Sequence, residues 1–95
     1  MKTTFDFYNN NTAKNAPRLT INGVQFYFSY STVVAVRYNG NLHVIQNYWK
    51  HTTGKHLNWI DGGNKTDRLD DDAFRVKIDE AMKVAGIDEL PTIEI

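Results

Sequence analysis

The chain reads as a single α+β domain. It should hold an antiparallel sheet of four or five strands, a short connecting helix, and one C-terminal amphipathic helix packed on one sheet face. Three observations carry that reading. Asn-Gly occurs twice, at Asn22-Gly23 and Asn39-Gly40, each time between alternating apolar runs, and this dipeptide is the preferred filling of a two-residue type I′ hairpin turn. From Asp70 to Ala85 the apolar residues recur at helical spacing. At 95 residues the chain has room for one core, burying roughly 60–65% of the surface of its extended form.

Residues 1–16 alternate weakly at Phe5 and Phe7 and then run into Asn9-Asn10-Asn11-Thr12, which predicts an edge strand or docked arm followed by a loop. Pro17 precedes the first strand of a hairpin. A two-residue loop at Asn22-Gly23 pairs Ile21 with Val24 and Leu19 with Phe26, so Leu19, Ile21, Val24, Phe26 and Phe28 share one face. The other face, Arg18, Thr20, Gln25, Tyr27 and Ser29, is polar enough to be partly wet, so Phe26→Ala is expected to cost far more than Tyr27→Ala. The second hairpin turns at Asn39-Gly40 and pairs Tyr38 with Asn41. Strict alternation then groups Val34, Val36, His43 and Ile45 against Val33, Ala35, Arg37, Leu42 and Val44. Neither group is polar, so these strands should be covered on both sides, by the C-terminal helix on one and by the N-terminal aromatics or a second protein on the other.

The C-terminal helix has Asp70 or Asp67 to cap it, Asp71 and Asp72 where the helix dipole favours negative charge, and Gly86 to end it. Phe74, Ile78, Ala81 and Ala85, with Met82 beside them, form its inward stripe. Beyond Pro91, Ile93 and Ile95 restart an alternation that predicts a short edge strand.

Composition excludes several functions. Eleven basic and eleven acidic residues cancel, so no whole-molecule field draws the protein to nucleic acid or an anionic membrane. The charge is uneven: residues 1–60 hold Lys2, Lys14, Arg18, Arg37, Lys50 and Lys55 against Asp6, or 6 − 1 = +5, leaving −5 for residues 61–95. An acidic helix beside a basic sheet half accounts for this, and so does a locally basic surface. The absence of cysteine removes disulfides, thiol catalysis and thiolate metal sites. No stretch has the length of a membrane span or the apolar core of a signal peptide. Cytoplasmic residence is the expectation.

The most unusual composition lies between Asn47 and Gly63, where two tryptophans, two histidines, two lysines and two threonines crowd together. Thr53 is the expected N-cap of a short helix to Ile60, closed by Asp61-Gly62-Gly63. On that helix Lys55 and Trp59 are four apart and share a face, while Leu57 and Ile60 turn inward. Such a segment braces the sheet, presents a surface, or does both.

Enzymatic chemistry finds little support there. Gly54-Lys55 lacks the earlier glycine and following hydroxyl of a phosphate-binding loop: Trp49 and His56 stand in those positions. His51 and His56 lie about 140° apart on an ideal helix, which is poor metal-ligand spacing, and no cofactor or metal is expected. An acid-base pairing of either histidine with Lys55, as in an RNA-cleaving site, has no complementary acid or nucleophile at a telling spacing. Asp70-Asp71-Asp72 is read as capping and dipole chemistry rather than a cation site. What remains is the interleaving of Tyr48, Trp49, Lys50, His51, Lys55, His56 and Trp59, a composition found at protein-binding hot spots and on base-stacking surfaces.

The runs Phe28-Ser29-Tyr30-Ser31-Thr32, Asn47-Tyr48-Trp49 and Thr52-Thr53-Gly54-Lys55-His56-Leu57-Asn58 together resemble a small family of bacteriophage and mobile-element proteins over roughly residues 18–80. That family brings no established catalytic residues. The resemblance implies a setting: small cysteine-free phage proteins often look like inhibitors of host defence, anti-CRISPR proteins among them, that occlude a surface on a bacterial protein. The expectation is therefore a non-enzymatic inhibitor that binds a host protein, such as a CRISPR–Cas component, through Trp49, Lys50, Lys55, His56 and Trp59 together with the acidic helix surface. A nucleic-acid-associated accessory protein using the same segment is the alternative. A homodimer is left open.

Overall fold

The computed structural model describes residues 2–9 and 15–93. Five strands, β1 (Thr3–Phe7), β2 (Pro17–Ile21), β3 (Val24–Ser29), β4 (Thr32–Tyr38) and β5 (Asn41–Val44), form one antiparallel sheet in the order of the sequence. Helices α1 (His51–Asp61) and α2 (Asp71–Ala85) follow, with a 3-10 turn at Lys65–Asp67 between them. The α+β class and the five-strand sheet agree with the sequence. The Asn10–Thr12 part of the asparagine run and the Ile95 end of the expected last strand lie outside the described residues. Ile93 is packed against the core but joins no strand.

Both Asn-Gly turns adopt the conformation for which the dipeptide is suited, with positive φ at Asn22 (50°), Gly23 (84°), Asn39 (51°) and Gly40 (79°). The registers follow from the turns: Ile21 faces Val24, Leu19 faces Phe26, and Tyr38 faces Asn41. Asn22 also ties three elements together. It exchanges hydrogen bonds with Lys2 (3.0 and 2.8 Å) and donates from Nδ2 to the Ala85 carbonyl at the end of α2 (2.6 Å).

Strict alternation fails in one place. Tyr27 pairs with Ala35 but Phe28 pairs with Val33, so Val34 is an extra residue on β4. This bulge exchanges the expected places of Val33 and Val34. Val33 joins Val36 and Ile45 on the α2 side, beside Phe74 and Ile78, while Val34 joins Ala35 on the α1 side, near Ser29 and Thr53. Both valines are buried, as a sheet covered on two faces requires.

The second cover is α1 together with Tyr8, rather than the N-terminal aromatics alone. Tyr27 and Ser29, expected to be partly wet, are buried. The Tyr8 ring lies 5.5 Å from that of Tyr27, and its hydroxyl donates to the Phe28 carbonyl (2.6 Å). Tyr27→Ala would therefore also open a cavity, against the expectation of a small loss.

Helix α2 matches its sequence pattern closely. Asp70 is the N-cap, accepting from the Ala73 N–H (2.8 Å). Gly86, in the left-handed region, ends the helix with the paired bonds Ile87 N–H to Met82 O (3.0 Å) and Gly86 N–H to Lys83 O (3.2 Å) of a Schellman motif. Phe74, Ala81 and Ala85 are buried, with Ile78 and Met82 packed alongside. The Tyr38 hydroxyl donates to Glu80 Oε2 (2.5 Å), tying the helix to β4 and holding the Glu80 carboxyl below its ordinary range.

Candidate functional site

Helix α1 begins at His51 with Lys50 as its N-cap, and no side chain caps it. The expected cap, Thr53, lies inside the helix instead. It is buried, and its hydroxyl meets the Ser29 hydroxyl at 3.0 Å. Gly62, at φ 67°, terminates the helix. Leu57 is fully buried and Ile60 packs against the core, as their apolar character requires.

His56 is the main correction. The sequence placed it on the contact surface, but it is 1% exposed. Its Nδ1 is 2.6 Å from Ser29 Oγ, and its ring is flanked by Tyr30 (5.8 Å), Trp59 (5.2 Å) and Tyr8 (6.4 Å). The helical period explains the burial: His56 is three residues from Thr53 and four from Ile60, and so shares their inward stripe. Ser29 and His56 touch as a nucleophile and base would, but Ser29 is also buried, and no carboxylate bonds the imidazole among the described residues. The contact fastens α1 to β3.

Burial without a compensating charge pushes the His56 imidazole below its ordinary value. The unfolded chain thus takes up the proton more readily than the native one. Stability is full above about pH 6.5, the ordinary histidine value, and declines as the pH falls from there toward the native value. Burial and Lys77 lower His43 similarly and add a decline of the same sign. A histidine NMR titration should find His56 below the ordinary value, and His56→Asn should flatten the acid limb of stability against pH. A native value at or above the ordinary one would contradict this packing.

The remaining sequence-predicted residues stay on the surface. Trp49 is 43% and Trp59 42% exposed, and Lys50 and Lys55 are exposed beside them. Tyr30, at φ 56° in the turn between β3 and β4, and Tyr48 are exposed as well. Trp49 stands between two hollows. One, of about 560 Å³, is shared with Tyr30, Tyr48, Lys50 and Thr52. The other, of about 430 Å³, runs toward Phe74, Ile78 and Leu90, with Asp71 and Asp79 at its rim. The structure thus brings Trp49 and Lys50 together with Tyr48 and with Tyr30, which lies outside the 47–63 segment. It joins Trp59 to them through the rings of His56 and Tyr30.

His51 is exposed where His56 is buried, so the two point apart. Among the described residues no group of three or more metal-ligating side chains could hold an ion. Within Asp70-Asp71-Asp72, Asp70 caps α2 and Asp71 accepts from Arg75 (3.1 Å). No described helix is long and apolar enough to cross a membrane.

Sequence reasoning missed Arg68. It is buried, and it donates to both Asp61 carboxylate oxygens (2.7 and 3.0 Å) and to Asn58 Oδ1 (3.0 Å). Asp61 ends α1, where the helix carbonyls disfavour a negative charge, so this guanidinium fastens the helix at its far end. An Asp-Gly-Gly sequence following a helix signals a stop, and it carries no sign of a partner seven residues on.

No curated protein and no solved structure matches the chain. A family model does match it over residues 2–76, which takes in the whole sheet, α1 and the start of α2, and the chain therefore belongs to the family of unknown function DUF8033.

Proposed function

We propose that this is a non-enzymatic binding protein that occludes a surface on a bacterial host protein, with Trp49 and Trp59 as its principal anchors and Lys50 and Lys55 at their edges. The observation that carries the reading is the cluster of four exposed aromatic side chains, Tyr30, Tyr48, Trp49 and Trp59, around one short helix. Large aromatics seated beside hollows are the usual anchors of protein interfaces, where a few such residues supply most of the affinity. His56 supports Tyr30 and Trp59 from beneath and does not itself meet the partner. Asp71 and Asp79 at the edge of the second hollow add the acidic flank of α2. The likeness of Phe28–Thr32, Asn47–Trp49 and Thr52–Asn58 to small phage proteins supplies the setting: a host defence component, of CRISPR–Cas type, as the partner. The same aromatics with flanking lysines also suit single-stranded nucleic acid, and that second reading requires binding that collapses with salt.

Trp59→Ala is expected to leave the protein folded, with a loss of about 1–2 kcal/mol for the part of the ring that packs on His56. It should sharply reduce capture of the partner from a bacterial lysate. A large drop in melting temperature, with capture retained by the folded fraction, would make Trp59 a core residue and end the proposal for this surface.

A further inference from the structure

A cleft of about 550 Å³ opens between α1 and the 64–68 turn, and none of the exposed aromatics lines it. His51, Lys55 and Asn58 stand at i, i+4 and i+7 and so form one stripe along α1. Lys65 and Arg68 face them from the turn, and Gln46 and Asn47 close the end toward the sheet.

The side-chain amides in this cleft are turned so as to donate. Asn47 Oδ1 accepts from the Trp49 N–H (2.9 Å), and Asn58 Oδ1 accepts from Arg68 Nη2 (3.0 Å). A backbone N–H and a guanidinium can only donate, so each amide commits its oxygen to that partner and leaves its NH2 as the available end. A Cβ on Gly54 would come within 3.1 Å of Asn47 Nδ2. That is tighter than an ordinary contact, so any side chain at residue 54 would push the amide aside by a few tenths of an ångström. Gln46 follows the same pattern at longer range: its Oε1 accepts from the Tyr48 hydroxyl (3.4 Å), which itself accepts from the Asp71 N–H (3.2 Å).

The charges match the donors. Arg68 is balanced by Asp61 and forms a fixed wall. Lys55 and Lys65 pair with no acid among the described residues, and no carboxylate lines the cleft. A concave surface of fixed amide donors with two uncompensated ammonium groups is complementary to a multiply charged group rich in acceptor oxygens. The volume is that of a small-ligand site, roughly 300–1,000 Å³. The lining offers no phenylalanine, tyrosine or tryptophan on which a run of bases would stack.

We propose that this cleft binds the phosphate groups of a phosphorylated small molecule, with Lys55 and Lys65 supplying charge and the Asn47 and Asn58 amides fixing orientation. The site is independent of the protein-binding surface except that Lys55 stands at the border of both.

The test is an NMR titration of the full chain with inorganic pyrophosphate in about 0.05 M salt, where the Debye length exceeds about 10 Å. The side-chain amide signals of Asn47 and Asn58 are followed, with citrate and a short single-stranded oligonucleotide as parallel probes. Saturable shifts at both amides are expected. Affinity should fall about tenfold or more in the Lys55→Gln/Lys65→Gln double variant, as loss of a charge-assisted contact requires, with its unfolding midpoint unchanged. Trp59→Ala should bind pyrophosphate as the parent does. The proposal is overturned by absent or unsaturable shifts, by equal affinity in the double variant, or by an equal response to citrate. Tighter binding of the oligonucleotide through the same amides would also overturn it, by giving the cleft to a nucleic-acid backbone.

Discussion

Phe26→Ala is expected to destabilise the domain by about 3–5 kcal/mol, the range for deleting a buried phenylalanine ring. Phe26 is fully buried, pairs with Leu19 on β2 and Val36 on β4, and lies in the middle strand of the sheet on the side covered by α2. Neither neighbouring strand can move in to fill the space without breaking its own ladder, so the cavity persists. Set against a total stability of about 5–15 kcal/mol for domains of this kind, such a loss is a large share. Gln25→Ala, one residue earlier and on the opposite face, removes only the acceptor of the Tyr27 hydroxyl (2.7 Å) and should cost about 1 kcal/mol. Urea unfolding of the two variants checks the contrast. A loss of less than about 1 kcal/mol at Phe26 would mean that the sheet relaxes into the space, contrary to the packing described.

Arg68→Ala is expected to be comparably damaging, at about 3–5 kcal/mol, because it leaves a buried carboxylate without its partner. The Arg68 and Asp61 side chains are 4% and 8% exposed, so water cannot replace the guanidinium. The double variant Arg68→Met/Asp61→Leu should recover most of the loss, since an apolar pair of similar volume often serves as well as a buried ion pair. Arg18 and Asp6 make a similar pair, with Arg18 Nε donating to Asp6 Oδ1 at 2.9 Å, but at 26% and 46% exposure it should contribute less than about 1 kcal/mol. Chemical denaturation of the single and double variants tests both statements. A double variant no more stable than Arg68→Ala would show that the loss comes from something other than the stranded charge.

The sheet was legible because its instructions are local. Asn22-Gly23 and Asn39-Gly40 each state a turn, the turn sets the pairing, and alternation assigns the faces. Helix α2 was equally plain, its cap, stripe and terminating glycine lying within seventeen consecutive residues, Asp70 to Gly86. What escaped the sequence depends on contacts between distant segments. The bulge at Val34 has no marker in Val33-Val34-Ala35-Val36, where any of four small apolar residues could be the extra one. Thr53 has the chemistry of a cap, and nothing local shows that Ser29 on β3 meets its hydroxyl instead. The inward face of α1 was read correctly at Leu57 and Ile60. His56 belongs to the same stripe by spacing, but its polarity argued for the surface. The cleft beside α1 was invisible for the same reason: Lys65 and Arg68 meet Lys55 and Asn58 only after the chain has turned at Gly62 and Gly63.

The bare start of α1 has a thermodynamic meaning. Lys50 offers no oxygen to cap the helix, no acidic residue occupies the first turn, and Gly54 stands inside it, so local interactions do little to favour this helix over an open chain. What holds it is tertiary: Thr53, His56 and Leu57 at the sheet and the Asp61–Arg68 pair at the far end. An element secured mainly from outside opens only when those buried contacts are given up, so its stability follows that of the packing beneath it. The sheet and the 64–68 turn, more than its own residues, therefore decide that residues 51–61 are helical.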